Sequence, residues 1–147
     1  MASAASPGAS QQRYLVVRVG GLTCALASRS VERVLRGLTI YPVPGSNPRL
    51  LGLTQSDGEP LAVLDLLSLL EGGDQIDSTQ PLVIVVTAGS REGSETIGLA
   101  VDEALEVALI PDRAISLEGS GTLVCGYARL DAGTVRVLDL TILGEGG

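Results

Sequence analysis

The sequence says one thing twice, and that restricts the folds open to it. Val63-Leu64-Asp65-Leu66 recurs letter for letter as Val137-Leu138-Asp139-Leu140, 74 residues on. Cys24-Ala25-Leu26-Ala27 aligns with Ile97-Gly98-Leu99-Ala100 at an offset of 73. Gly52-Leu53-Thr54 aligns with Gly126-Tyr127-Ala128 at 74, and Gly58 with Gly133 at 75. Offsets that drift by about a residue describe two similar units carrying small insertions, rather than chance identity in one apolar tetrapeptide. The repeat predicts a flexible tail over 1–12, a first unit over about 13–71, a linker over 72–80 and a second unit over 81–147. Nothing catalytic repeats with it.

The residues available for a core favour strands. The chain has no Phe and no Trp, three Tyr and one Met, so its interior is built from Val, Leu, Ile and Ala. β-Branched abundance of this kind suits a pleated surface. A chain of 147 residues buries about 68–70% of its unfolded surface, enough to fold without metal or disulfide staples. Cys24 and Cys125 sit in apolar runs and read as small buried hydrophobes of a reducing cytosol; one long-range disulfide between them is the alternative.

Composition also removes function classes. Histidine and lysine are both absent, and every one of the ten basic residues is Arg. A chain without imidazole has no Ser-His-Asp triad and no ordinary zinc site. A net charge of −7 repels polyanions, and three Tyr make a poor stacking platform, so nucleic acid is not an expected partner. The first twelve residues lack a basic n-region and an apolar h-region. The longest apolar run, around residues 81–86, falls far short of the ~20 residues of a membrane span. The expectation is a soluble cytoplasmic protein with no membrane insertion.

Periodicity and turn chemistry place the elements. Tyr14 to Val19 and Leu22 to Ala27 flank Gly20-Gly21 and read as a hairpin. Val31 to Arg36 reads as a strand after a polar break at Ser28 to Ser30. A proline-stiffened connector covers Tyr41 to Pro48. Leu50 to Gln55 and Glu59 to Leu64 form a hairpin around Ser56-Asp57-Gly58, because Asp-Gly accepts positive φ. Asp65 is the expected N-cap of a short Leu-rich helix. The second unit repeats the plan, with strands at 82–87, 96–101, 104–110, 123–130 and 135–140. Short strands at 8–12-residue spacing indicate small barrels rather than a long-stranded sandwich.

Candidate chemistry is thin. Asp65 and Asp139 could form a carboxylate dyad, but each lies in a Leu-rich strand end, where capping is the simpler role. Asp102, Glu103 and Glu106 lack the glycine-punctuated spacing of a calcium loop and read as solvated strand edges. Gly89, Gly93 and Gly98, and Gly119, Gly121 and Gly126, do not lead into a phosphate-binding lysine, so they read as turn glycines. Ser28, Ser30 and Cys24 have no neighbouring base. The chain is therefore not expected to be an enzyme, and it calls for no cofactor and no metal.

The order of these motifs resembles the CheW family, the adaptors that link bacterial chemoreceptors to their histidine kinase. The resemblance spans Tyr14 to Leu143. It is carried by Tyr14-Leu15-Val16-Val17, Cys24-Ala25-Leu26, Val31 to Val34, Val43-Pro44-Gly45, Leu51-Gly52-Leu53 and Leu61 to Leu66. Gly98-Leu99-Ala100-Val101-Asp102 and Gly126-Tyr127-Ala128 continue it. It implies a mainly β fold of two tandem SH3-like five-stranded barrels with short helical turns. It also implies a non-catalytic scaffold that docks on the regulatory domain of a CheA-type kinase, on the helical hairpin tip of a methyl-accepting chemoreceptor, or on another CheW-like protein.

Two departures from the family pattern bear on partner choice. Where the family carries Asn-Leu-Arg-Gly, with an Arg that engages the receptor, this chain has Gln55-Ser56-Asp57-Gly58. Where it carries Val-x-Glu-Val at the kinase-facing surface, this chain has Val31-Glu32-Arg33-Val34. Gly52 matches a kinase-side glycine. Arg33, Gly52, Gln55 and Asp57 are thus the expected partner-binding positions, with both charges reversed. Reversal of rim charges alters partner choice more than stability. An accessory adaptor that engages one partner only, as with the second CheW-like protein of the Frizzy motility pathway, is one alternative. An unrelated small-ligand-binding β-barrel is the more remote one.

Overall fold

The β-branched runs become eleven strands in the computed structural model, which describes residues 11–45, 49–72, 81–89, 95–118, 122–131 and 133–143. In chain order the strands of the first half are β1 (Gln11–Val19), β2 (Leu22–Ala27), β3 (Val31–Leu35), β4 (Leu50–Ser56) and β5 (Glu59–Asp65), and helix α1 (Leu66–Glu71) follows. The second half supplies β6 (Leu82–Ala88), β7 (Glu95–Val101), β8 (Glu103–Pro111), β9 (Ile115–Leu117), β10 (Val124–Leu130) and β11 (Gly133–Leu138). Strand β1 begins at Gln11, and Gln11 and Gln12 pair with Pro111 and Ile110. The last two residues assigned to the tail are therefore part of the sheet. Residues 73–80 of the linker expected at 72–80, the loop at 119–121 and the whole loop at 90–94 lie outside the described residues.

Turn chemistry behaves as the sequence predicts at the β4–β5 hairpin. Asp57 (φ 55°) and Gly58 (φ 80°) both adopt left-handed backbone, the requirement of a two-residue turn whose twist matches the strands it joins.

The two halves do not each close a sheet of their own. One sheet has the order β3-β6-β7-β5-β4 and the other β9-β10-β11-β2-β1-β8, so each combines strands from both repeats. The halves are joined by the antiparallel pairs β3–β6 and β1–β8 and by two parallel pairs: β5 lies on β7 with Val63 opposite Gly98, and β11 lies on β2 with Val137 opposite Ala25. These contacts are equivalents of one another, because Val63 aligns with Val137 and Gly98 with Ala25. A β-bulge between Leu50 and Gly52 is matched by one between Val124 and Gly126. Parallel pairing cannot be made by a tight hairpin and needs a long connection, and the chain between the halves provides it. The six-stranded sheet exceeds five strands only by β9, whose counterpart is the single bridge between Tyr41 and Leu53.

This exchange explains the core. Along β2, Cys24 and Leu26 join a core shared with Val63, Ile84 and Leu99 of the other sheet, whereas Ala25 joins Tyr14, Ile110, Ala128 and Val135 inside its own sheet. Strand β6 is buried from Leu82 to Val86 without alternation, as expected of a strand covered on both faces.

Both repeats end in a capped turn. Asp65 accepts from Leu67 N–H at 3.1 Å at the start of α1, and Asp139 accepts from Thr141 N–H at 3.0 Å and its hydroxyl at 2.6 Å before the 3₁₀ turn Leu140–Ile142. The two carboxylates terminate strands of different sheets and serve as caps. Asp65 is fully buried, and its backbone N–H donates to Arg49 C=O at 2.7 Å. Asp65→Ala is expected to lower unfolding free energy by about 1–2 kcal/mol in urea titration, and Asp65→Asn by less, because an amide oxygen still caps.

Gly98 and Gly126, grouped above with turn glycines although they fall in the expected strands 96–101 and 123–130, lie inside strands. A Cβ on Gly98 would stand 2.7 Å from Val83 Cγ1, and one on Gly126 2.7 Å from the Ser116 carbonyl oxygen. Both glycines are there because side chains or backbone of neighbouring strands in their own sheet come too close for a Cβ.

Candidate functional site

Exposed apolar side chains mark surfaces that can meet a partner. Among the described residues, the exposed large hydrophobics are Val34, Tyr41, Val43 and Leu53 on one side and Leu105, Val107, Leu109 and Leu117 on the other. The first group lies on the terminal strands of the five-stranded sheet, β3 and β4, and on the connector between them. The second lies on the terminal strands of the six-stranded sheet, β8 and β9. These edges are equivalent under the internal repeat, so the molecule presents the same kind of surface twice.

Local sequence explains each edge. On β8 the small or inward residues Ala104, Ala108 and Ile110 face the core, and the larger Val107 and Leu109, 60% and 59% exposed, face out. On the other edge Tyr41 is 66% exposed because its backbone rather than its ring is used inward. Tyr41 N–H donates to Leu53 C=O at 2.8 Å, and Leu53 N–H donates to Tyr41 C=O at 2.9 Å. Leu38, Tyr41, Leu53, Gln55 and Pro60 line a shallow depression of about 640 Å³ there.

The structure places the four expected partner-binding residues together at the five-stranded edge, in different roles. Gly52 is buried: a Cβ there would stand 2.4 Å from the Tyr41 carbonyl oxygen. Its packing role is thus sufficient reason for glycine. Gln55 is exposed on β4, opposite Pro60. Arg33 and Asp57 pair with each other: Arg33 Nη1 donates to Asp57 Oδ2 at 2.6 Å, and Nη2 donates to Ser56 Oγ at 2.8 Å. The pair ties the two terminal strands of that sheet across its open side. With side chains 40% and 76% exposed, it contributes about 0.2–1 kcal/mol to stability. The sequence carried a clue to the pairing, since reversal of both charges relative to the family pattern keeps them opposite.

Several other charged groups have partners of their own. Asp102 accepts from Gly20 N–H at 2.7 Å, Glu103 pairs with Arg18, and Glu32 accepts from Thr87 Oγ1 at 2.6 Å. No three His, Cys, Asp or Glu side chains converge as a metal site among the described residues. A cleft of about 560 Å³ includes Tyr14, Arg29, Thr87, Cys125 and Asp139 in its lining. Arg29 there is bonded to Gln12 and Asp139 to Thr141.

Both cysteines are free thiols. Burial pushes Cys24 from its ordinary value near 9 up to about 12, opposed weakly by Arg136. Burial, and then Asp139, raises Cys125. A thiol whose folded pKa is raised stabilises the fold fully below about pH 9 and loses that contribution as pH rises toward 12. Cys24→Ala is therefore expected to flatten the alkaline decline of urea stability between pH 9 and 11. An unchanged slope would show that Cys24 is not buried as described.

Comparison with known proteins follows this geometry. The family model of the CheW-like domain matches residues 13–145. The protein FrzA of Myxococcus xanthus is 34% identical over 102 residues, covering 69% of this chain and 61% of FrzA; the match thus spans less than two thirds of that relative. Among solved structures, the crystal structure of the scaffolding protein TtCheW from Thermoanaerobacter tengcongensis superposes with a TM-score of 0.77. That alignment covers 91% of this chain and 92% of that one at 22% identity, a likeness of fold. No helix among the described residues is long and apolar enough to cross a membrane.

Proposed function

Because the chain belongs to the CheW-like domain family, we propose that it is a non-catalytic adaptor of a bacterial chemosensory complex, acting in chemotaxis or motility. Its partners would be the regulatory domain of a CheA-type histidine kinase, a chemoreceptor tip, or another CheW-like protein. One observation carries this reading. The exposed large hydrophobics divide between two equivalent edges, one on each sheet, which is the arrangement a bivalent linker needs. An enzyme site would instead gather polar groups in one concavity, and here the charged groups of the cleft are bonded to close neighbours.

An accessory adaptor that engages a single partner is the second reading. It is favoured by the exchanged polarity of Arg33 and Asp57, and the similarity to FrzA is compatible with a motility pathway.

The test is co-purification and calorimetry of the full chain against the kinase regulatory domain and the receptor cytoplasmic fragment of the same organism. Capture of both supports the bridging adaptor, and capture of one supports the accessory form. Capture of neither, together with no capture of a second CheW-like protein of that organism, rejects both readings.

A further inference from the structure

Four strands end the two sheets, and three of them are blunted. Strand β9 is three residues long, β4 is bridged to Tyr41, and β3 is tied to the β4 side by Arg33 on Asp57 and Ser56. Shortness, cover and charge of this kind protect an edge, because an open row of N–H and C=O groups recruits another strand. Strand β8 is different. It runs nine residues, from Glu103 to Pro111, and among the described residues it pairs with a strand on one side only, β1. Its bulge lies toward the Glu103 end and leaves Glu106 to Pro111 in regular register. Proline stands only at its last position.

The sequence of β8 decides what fits beside it. Leu105, Val107 and Leu109 are exposed at alternate positions, and Ala104, Ala108 and Ile110 turn inward. Two copies of β8 related by a twofold axis normal to the sheet pair antiparallel, with opposite residues on one face. The register centred on Val107 sets Val107 against its own copy and Leu105 against Leu109 of the second copy. All three exposed hydrophobics of the strand are then covered. Glu103 and Glu106 fall opposite Pro111 and Ala108, so no carboxylate directly faces another. Centring on Glu106 would bring two carboxylates face to face, which destabilises a strand pair. Centring on Ala108 would leave Leu105 against Pro111.

We propose that the occupant of the β8 edge is a second copy of this chain, joined by antiparallel β8–β8 pairing about Val107. The nine-residue ladder extends about 30 Å and makes one continuous sheet of the two six-stranded sheets. Each copy keeps its five-stranded edge free, so the dimer goes beyond the adaptor reading and does not depend on it.

Sedimentation velocity of the full chain is expected to show monomer and dimer in exchange over about 10–200 µM, the range of a small interface. Val107→Asp leaves monomer alone over that range, with thermal unfolding within about 2 °C of the parent. Raising salt tightens the dimer, since each chain carries a net charge of −7 and screening relieves their repulsion. The register is read by oxidation of introduced cysteines in a Cys125→Ser background, where Cys24 is buried. Val107→Cys forms an inter-chain disulfide at least about tenfold faster than Leu109→Cys, because only residue 107 lies within disulfide reach of its own copy. The two positions are 60% and 59% exposed, so accessibility does not separate them. A parent that stays monomeric at about 200 µM overturns the assignment; if Val107→Asp then loses a kinase or receptor fragment, the edge belongs to that fragment instead. A dimer that survives Val107→Asp, one that loosens with salt, or equal oxidation rates at 107 and 109 overturns it as well.

Discussion

Gly52→Ala is expected to destabilise the chain by about 3 kcal/mol in urea, near the upper end of the usual cost of overpacking. The reason is that the added methyl would stand 2.4 Å from the backbone oxygen of Tyr41 and 2.8 Å from Ile40 Cγ2. A flexible side chain could step aside, but a backbone carbonyl already hydrogen-bonded to Leu53 cannot without breaking the bridge that closes the edge. Gly126→Ala should behave similarly against Ser116, whereas Gly21→Ala, where a Cβ meets nothing within 4 Å, should cost well under 1 kcal/mol. The comparison separates two roles for Gly52. Loss of stability marks it as the seat of the Tyr41 strap; loss of partner affinity with unchanged stability would make it a direct contact.

Leu53→Asp and Val107→Asp are expected to abolish binding of one partner each, by at least a hundredfold, or about 2.7 kcal/mol, while shifting unfolding free energy by no more than about 0.5 kcal/mol. Both side chains are exposed, so a carboxylate there remains hydrated in the free protein and is stripped of water only when a partner covers it. Selectivity is the decisive outcome. If both substitutions weaken the same partner equally, the two edges act as one surface; if neither matters, the apolar edges are not docking sites.

Much of the local structure was legible in the sequence. Asp-Gly at 57–58 announced the left-handed hairpin turn, Asp65 and Asp139 announced their caps, and the Val-rich runs became strands. Gly98 and Gly126 were misread because a glycine required by close packing looks the same in sequence as one required by a turn. On β8 the sequence placed a strand over 104–110 without fixing which of its side chains face out. There Ala104, Ala108 and Ile110 turn inward, and Val107 and Leu109 were missed as surface residues. Arg33 and Asp57 were recognised singly, but a contact over 24 residues has no local signature.

From the sequence alone came the duplication, the strand and cap positions, the absence of histidine chemistry and the resemblance that the family match bears out. Those properties follow from side-chain period, turn propensity and composition, which act over a few residues at a time. Only the tertiary structure decided that the repeats trade strands, that Arg33 meets Asp57, and that the leftover apolar side chains gather on one edge of each sheet. Those outcomes depend on which distant strands pair and on which side chains each strand turns outward, and both are settled by burial of the whole chain at once.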